Sequence, residues 1–331
     1  MSEASRQEAY EDALRRAAAF LRENDDFLVV SHLSPDGDAI GSTGAIGFLL
    51  RALGKTYTLA NEGRTPDKYA GLLGDQSIVD FGKAPLLRRF EAVIAVDCAD
   101  FARIGAVHTV FAEGRKLLNI DHHPTNDDYG THNLVKPSAA ATVEIIFELA
   151  ETLGVPWSKP LATCIYAGLL TDTGGFRYSN TTPQVLSIAE RMLRLGVDGA
   201  GLAERLLETM SYPQVLLLKA ALSSLQFTPD RRVGWVSVSR ETLAGVGAAD
   251  EDTEGLVNLP RNVDGVEVGI LFKEKTDGIV KVSLRSSGRV DVAALAKTFG
   301  GGGHVRAAGC TINGTLDEAI RRVVEAVNEK L

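Results

Sequence analysis

The chain has 43 acidic residues and six histidines in 331 positions, but the side chains best suited to metal chemistry gather in four short stretches. "SHLSPDGDAIGS" places His32, Asp36 and Asp38 within seven residues. "AVDCAD" carries Asp97, "NIDHHPTN" carries Asp121, His122 and His123, and "GLLTDTGGFRYSN" carries Asp172. Each group closes an apolar run. Several carboxylates in one cleft repel and raise one another's pKa unless positive charge intervenes, and a pair of divalent cations removes that conflict. Carboxylate and imidazole donors without thiolate suit Mn²⁺, with Mg²⁺, Co²⁺ or Zn²⁺ as alternatives. Two such ions about 3.5–4 Å apart can activate a bridging water and stabilise in-line displacement at phosphorus. Taken singly, each group has an ordinary reading: Asp38 or Asp172 as a helix cap, Asp97 as a strand end, the histidine pair as a solvated loop. Four such placements at one edge of one sheet favour a site.

The elements that must position these groups read as α/β. Strands are expected at 27–32, 56–60, 91–97 and 116–121, and helices at 6–23, 39–53, 139–153 and 160–171. A further helix starts at Pro183, with Thr182 as its cap. The expected fold is a mainly parallel sheet with helices on both faces, where ligands bind beyond the carboxyl ends of the strands. Gly41, Gly44 and Gly47, three apart on one helix, predict close helix–sheet packing.

Three parts are expected: a catalytic domain over 1–185, a helical connector over 186–226, and a smaller mixed α+β domain over 227–331. In the last, "VGWVSVS", "VEVGILFKE" and "IVKVSLRSS" read as strands, with "TDG" as a turn between two of them. "FGGGGHVRAAG" contains four consecutive glycines, Gly300 to Gly303. Their entropic cost makes sense where backbone must approach a ligand, and they are expected to lead into a short helix whose amides bind phosphate. Arg285, Ser287, Arg289, Gly301, Gly302, Gly303 and His304 form the candidate substrate grip, with Arg103 as a further phosphate candidate.

A net charge of −8 disfavours a long polyanionic partner such as duplex nucleic acid. Three cysteines without a CxxC pair fit a reducing compartment. No run approaches a membrane span, and the charged start lacks a signal peptide's apolar core. A cytoplasmic protein is expected. "GKT" at 54–56 lacks the upstream glycine of a P-loop, and no G-x-G-x-x-G follows a strand.

"HLSPDGDAIGS", "VDCAD", "DHH" and "TDTGGFR", in this order, resemble the DHH phosphoesterase superfamily. "RSSGRVDVAALAKTFGGGGHVRAAGC" resembles the substrate-binding domain that follows its catalytic domain. Within the superfamily the chain is most similar to the nanoRNases, oligoribonucleases that also remove a phosphate from 3′-phosphoadenosine 5′-phosphate. The resemblance implies two metals: His32 and Asp36 on one, Asp38, His122 and Asp172 on the other, and Asp97 bridging. It implies a catalytic His123 beside the scissile phosphate, oriented by Asp121. It also implies short single-stranded RNA or DNA and nucleotide bisphosphates as substrates, and a homodimer. A phosphodiesterase for linear or cyclic dinucleotides, a pyrophosphatase, and a non-catalytic nucleotide sensor stay open as alternatives.

Overall fold

Phe27-Leu28-Val29-Val30 is apolar at every position, and in the computed structural model of the chain it forms β1 (Phe27–Val30), buried on both faces inside a parallel sheet. The structure describes residues 3–276 and 278–331; residues 1 and 2 and Asp277, the centre of the expected TDG turn, lie outside the described residues. The chain divides into two compact units, Met1–Thr209 and Met210–Leu331.

In the first unit, β1 is joined by β2 (Tyr57–Asn61), β3 (Ile78–Asp80), β4 (Phe90–Val96), β5 (Phe111–Asp121) and β6 (His132–Val135). The order is β3-β2-β1-β4-β5-β6, with every pair parallel. The sequence signals neither β3 nor β6, because three residues are too few to show a pattern and β6 opens on polar His132 and Asn133.

One face of this sheet is covered by α1 (Glu3–Glu23), α2 (Gly37–Ala52), α3 (Thr142–Leu153), α4 (Lys159–Asp172) and α5 (Pro183–Arg194), which share one apolar core with the strands. The other face carries the 3₁₀ segment Phe101–Val110 through Ile104, Val107 and Val110. Helix α3 begins three residues later than expected, since Ala141 is extended at φ −159° and ψ 157°. Gly41 and Gly44 face α4 rather than the sheet: a Cβ on Gly41 would stand 2.8 Å from the Cys164 carbonyl oxygen. They permit close packing of two helices.

The stretch expected to connect two domains is shared between the two units. Helix α5, capped by the Thr182 hydroxyl on the Val185 amide at 3.2 Å, buries Val185, Ile188 and Met192 in the first core. The chain then breaks at Gly196, left-handed at φ 88°. Helix α6 (Tyr212–Ser223) buries Leu217 and Ala221 in the second unit instead. A helix is stabilised chiefly by packing its apolar side chains against the rest of a fold, so each joins a core.

The second unit is a mixed sheet of β7 (Gln226–Phe227), β8 (Val233–Val238), β9 (Val268–Thr276), β10 (Ile279–Ser286), β11 (Gly302–His304) and β12 (Ala307–Asn313), in the order β11-β12-β10-β9-β8-β7. Among the described residues only the β8–β9 pair is parallel. Helices α7 (Val292–Thr298) and α8 (Leu316–Asn328) cover one face and α6 the other. The glycine run does not open a helix, contrary to expectation. Gly302, Gly303 and His304 form β11, paired with Gly309, Ala308 and Ala307. Gly303 sits at φ 142°, and a Cβ there would meet the Ala307 carbonyl oxygen at 2.5 Å.

Candidate metal centre

The loop after β1 turns through Ser34, left-handed at φ 55°, and delivers Asp36 as the N-cap of α2. The Asp36 Oδ1 accepts from the Ala39 amide at 3.0 Å, which leaves Oδ2 3.9 Å from His32 Nε2. The helix cap is therefore Asp36, and Asp38, one step inside the helix, is fully buried. Its two oxygens accept from the Thr142 and Val143 amides at 2.6 and 3.1 Å, donors that the start of α3 leaves without helical partners. Gly168 on α4 makes room: a Cβ there would lie 2.6 Å from Asp38 Oδ1.

Asp97 follows directly on β4 in a left-handed conformation, φ 54°, and is 2% exposed. Such a backbone costs a non-glycine residue about 1–3 kcal/mol. It turns the carboxylate out of the sheet and toward the three histidines. Asp97 Oδ2 lies 3.5 Å from His32 Nε2, and Oδ1 lies 3.7 Å from both His122 Nε2 and His123 Nδ1. His122 Nε2 is in turn 3.4 Å from Asp172 Oδ2, at the last residue of α4. Three donor sets result: His32, Asp36 and Asp97; Asp38, His122 and Asp172; and Asp97, His122 and His123. Asp97 belongs to two of them.

Second contacts decide which imidazole nitrogen faces the cluster. His32 Nδ1 meets the Leu33 carbonyl at 2.7 Å and His122 Nδ1 meets that of Ala139 at 3.3 Å, which directs both Nε2 atoms inward. His123 differs. Its Nδ1 is 2.8 Å from Oδ1 of the fully buried Asp121, whose Oδ2 accepts from Asn126 at 2.7 Å. Asn119 donates to Asn126 and Asn133, tying this loop to β5 and β6.

The charges conflict without a cation. Burial, then repulsion from Asp97 and Asp36, holds Asp38 well above the usual carboxylate range. Burial beside Asp38, Asp36 and Asp97 does the same to Asp172. Burial pushes Asp97 the same way, but its contact with the His32 imidazole, aided by His122 and His123, outweighs it and holds Asp97 well below. Burial disfavours charge on His32 and His123, yet Asp97 beside the first and Asp121 beside the second leave both raised. Burial pushes the Cys98 thiol up to about 12, so the neighbouring sulfur supplies no thiolate at neutral pH.

Donor separations of 3.4–3.9 Å exceed ordinary N–H···O lengths. Atoms bound at about 2.1 Å to one octahedral ion stand about 3 Å apart, so a small closure around an ion satisfies them. Oxygen and nitrogen donors in crowded, charge-conflicted sets fit divalent ions of the Mn²⁺ or Mg²⁺ kind.

Arg103 lies close enough for its charge to oppose protonation of His32 and His123. Its carbonyl accepts from the Leu33 amide at 2.8 Å. In the second unit, Arg285 on β10 and His304 on β11 both pair with Ala307 of β12, one on each side. Their Cα atoms are therefore about 10 Å apart across one small residue, with side chains on one face of the sheet. Arg289 pairs with Glu267 at 3.3 Å. Ser287 is tied to the backbone instead, its hydroxyl donating to the Val266 carbonyl at 2.9 Å. Sequence reasoning missed Thr142 and Asn126. A threonine at a helix start reads as a cap, and an asparagine in a loop reads as a turn.

The chain is a phosphoesterase whose donor cluster lies in its parallel-sheet unit, followed by a second, mixed-sheet unit. Residues 26–169 match the DHH family, N-terminal domain, and residues 237–331 match the DHHA1 domain. The chain belongs to the DHH family. It is 39% identical to the bifunctional oligoribonuclease and PAP phosphatase NrnA of Thermus thermophilus, over 92% of this chain and 89% of that one. It is 31% identical to the protein of the same name from Bacillus subtilis, over 90% and 92%. The crystal structure of an exopolyphosphatase-related protein from Bacteroides fragilis superimposes with a TM-score of 0.87 at 27% identity, covering 96% of each chain. RecJ from Thermus thermophilus in complex with Mn²⁺ shares the fold, with a TM-score of 0.53 at 18% identity, covering 96% of this chain and 55% of that one.

Proposed function

We propose that this chain is a metal-dependent phosphohydrolase that degrades very short oligoribonucleotides to mononucleotides and dephosphorylates 3′-phosphoadenosine 5′-phosphate. The observation that carries the reading is the convergence of three donor sets linked through Asp97 and His122, in a chain similar over nine-tenths of its length to proteins named for those two activities. His32, Asp36 and Asp97 would hold one ion, and Asp38, His122, Asp172 and Asp97 the other. Mn²⁺ suits these donors best. When bound, such a pair supplies Lewis acidity that lowers the pKa of water and neutralises phosphate charge.

The protein's own groups do the rest. Asp121 holds the Nδ1 proton of His123, which turns Nε2 toward the scissile phosphate to protonate the leaving oxygen. The raised basicity of His123 keeps it charged for that purpose at higher pH than a free imidazole. Arg103 neutralises a second phosphate oxygen. In the second unit, Arg285, Arg289, His304 and the close backbone at Gly301 to Gly303 would bind nucleotide. The acidic net charge favours short single strands over long duplexes. Among the described residues no helix is long and apolar enough to cross a membrane, and three buried free cysteines support a reducing, cytoplasmic setting.

The test is purified protein with Mn²⁺ on pApA, on 3′-phosphoadenosine 5′-phosphate and on inorganic pyrophosphate. AMP is expected from the first two. Protein with two ions bound and no AMP released from either would defeat the reading, and turnover of pyrophosphate alone would favour the pyrophosphatase alternative.

A further inference from the structure

Helix α3 begins unusually. Its N-cap, Ala141, has no side chain to offer, so the first amides need acceptors from elsewhere. Thr142 and Val143 donate theirs to Asp38. The Thr142 hydroxyl, released from capping, donates to Asp97 Oδ1 at 3.0 Å, and Thr142 itself is fully buried. One residue thus grips two carboxylates: Asp38, which stands with His122 and Asp172, and Asp97, which stands with His32 and Asp36. Asp97 has its backbone outside strand geometry, so its carboxylate depends on such contacts for its direction.

We propose that Thr142 is a positioning residue that sets the spacing between the two ion positions, through its amide on Asp38 and its hydroxyl on Asp97. The proposal rests on the two-metal reading above. A residue filling space at the start of a helix would be replaced well by valine, which has nearly the same shape. A residue acting through its hydroxyl would be replaced by serine and not by valine.

The experiment is a Mn²⁺ titration of wild type, Thr142→Val and Thr142→Ser followed by electron paramagnetic resonance, which reads free Mn²⁺ and the exchange-coupled signal of a neighbouring pair. Thr142→Val keeps both amide bonds to Asp38 and is expected to bind the second ion about 10- to 100-fold more weakly, with loss of the coupled signal. Thr142→Ser is expected to keep both. The proposal is overturned if Thr142→Val shows the wild-type isotherm and coupled spectrum, or if serine loses as much as valine. Should Thr142→Val fail to fold by circular dichroism, Thr142→Ala, which also lacks the hydroxyl, takes its place: a weakened second ion is expected, and a wild-type isotherm overturns the proposal. Wild-type protein that binds no coupled pair would instead sink the proposed function.

Discussion

The Nδ1 atom of His123 lies 2.8 Å from Oδ1 of Asp121, a carboxylate with no exposed surface. This contact fixes the ring of His123, which shares a donor set only with Asp97 and His122. Asp121→Asn keeps the shape but removes the charge that orients the ring. It is expected to lower kcat on pApA by about 10²- to 10⁴-fold, while the bound Mn²⁺ stays at the wild-type level because Asp121 belongs to none of the donor sets. Steady-state kinetics beside metal analysis checks this; loss of metal in parallel with activity would assign Asp121 a ligand's place.

Metal-free protein should become less stable as pH rises. Asp38 and Asp172 bind protons more tightly folded than unfolded, so their contribution is fully present below the unfolded carboxylate pKa of about 4 and is lost as pH rises through their folded values. The raised His32 and His123 add stability below about pH 6.5 and lose it as pH climbs through their folded values. Asp97, held low, acts the other way, but only below about pH 4. Melting curves in EDTA are therefore expected to fall from pH 6 to pH 8. Ion binding displaces protons from the same carboxylates, so Mn²⁺ affinity should rise over that range and reverse the trend. A metal-free melting temperature that climbs from pH 6 to pH 8 would contradict the arrangement.

Gly168→Ala tests the room made for Asp38. A Cβ there would stand 2.6 Å from Asp38 Oδ1 and 2.7 Å or less from the two Val143 methyls. A cost of about 1–3 kcal/mol is expected in urea unfolding, with Mn²⁺ bound about 10-fold more weakly because a ligand is displaced. Unchanged metal affinity would mean that Asp38 moves without consequence.

Arg285→Ala is expected to raise KM for pApA about 10- to 100-fold with kcat little changed, the signature of lost ground-state binding. Arg285→Lys should recover only part, since an ammonium cannot form a two-pronged grip. A fall in kcat at constant KM would move Arg285 into the chemistry itself.

Much of the site was legible locally. In a parallel sheet buried on both faces, each strand reads as an unbroken apolar run, so the first polar residue after it marks the functional edge. Asp97 is recognisable by that rule, His32 follows one residue later behind Ser31, and Asp121 closes a run that Asn119 interrupts; the order of the four motifs carried the family. The glycine run was legible as a close backbone approach but not as a strand. Gly303 leans on Ala307 and Ala308, and that pairing partner has no signature in the run itself.

The sequence alone determined the donor types, the strand ends that carry them and the α/β class, because these follow from side-chain chemistry and short-range periodicity. Only the tertiary structure decided that Asp36 caps a helix while Asp38 reaches across to the next one. It alone showed a threonine 45 positions from Asp97 bonded to that carboxylate. Such contacts depend on which helix start packs against which strand end. That is settled by how the whole core closes, and no local pattern encodes it.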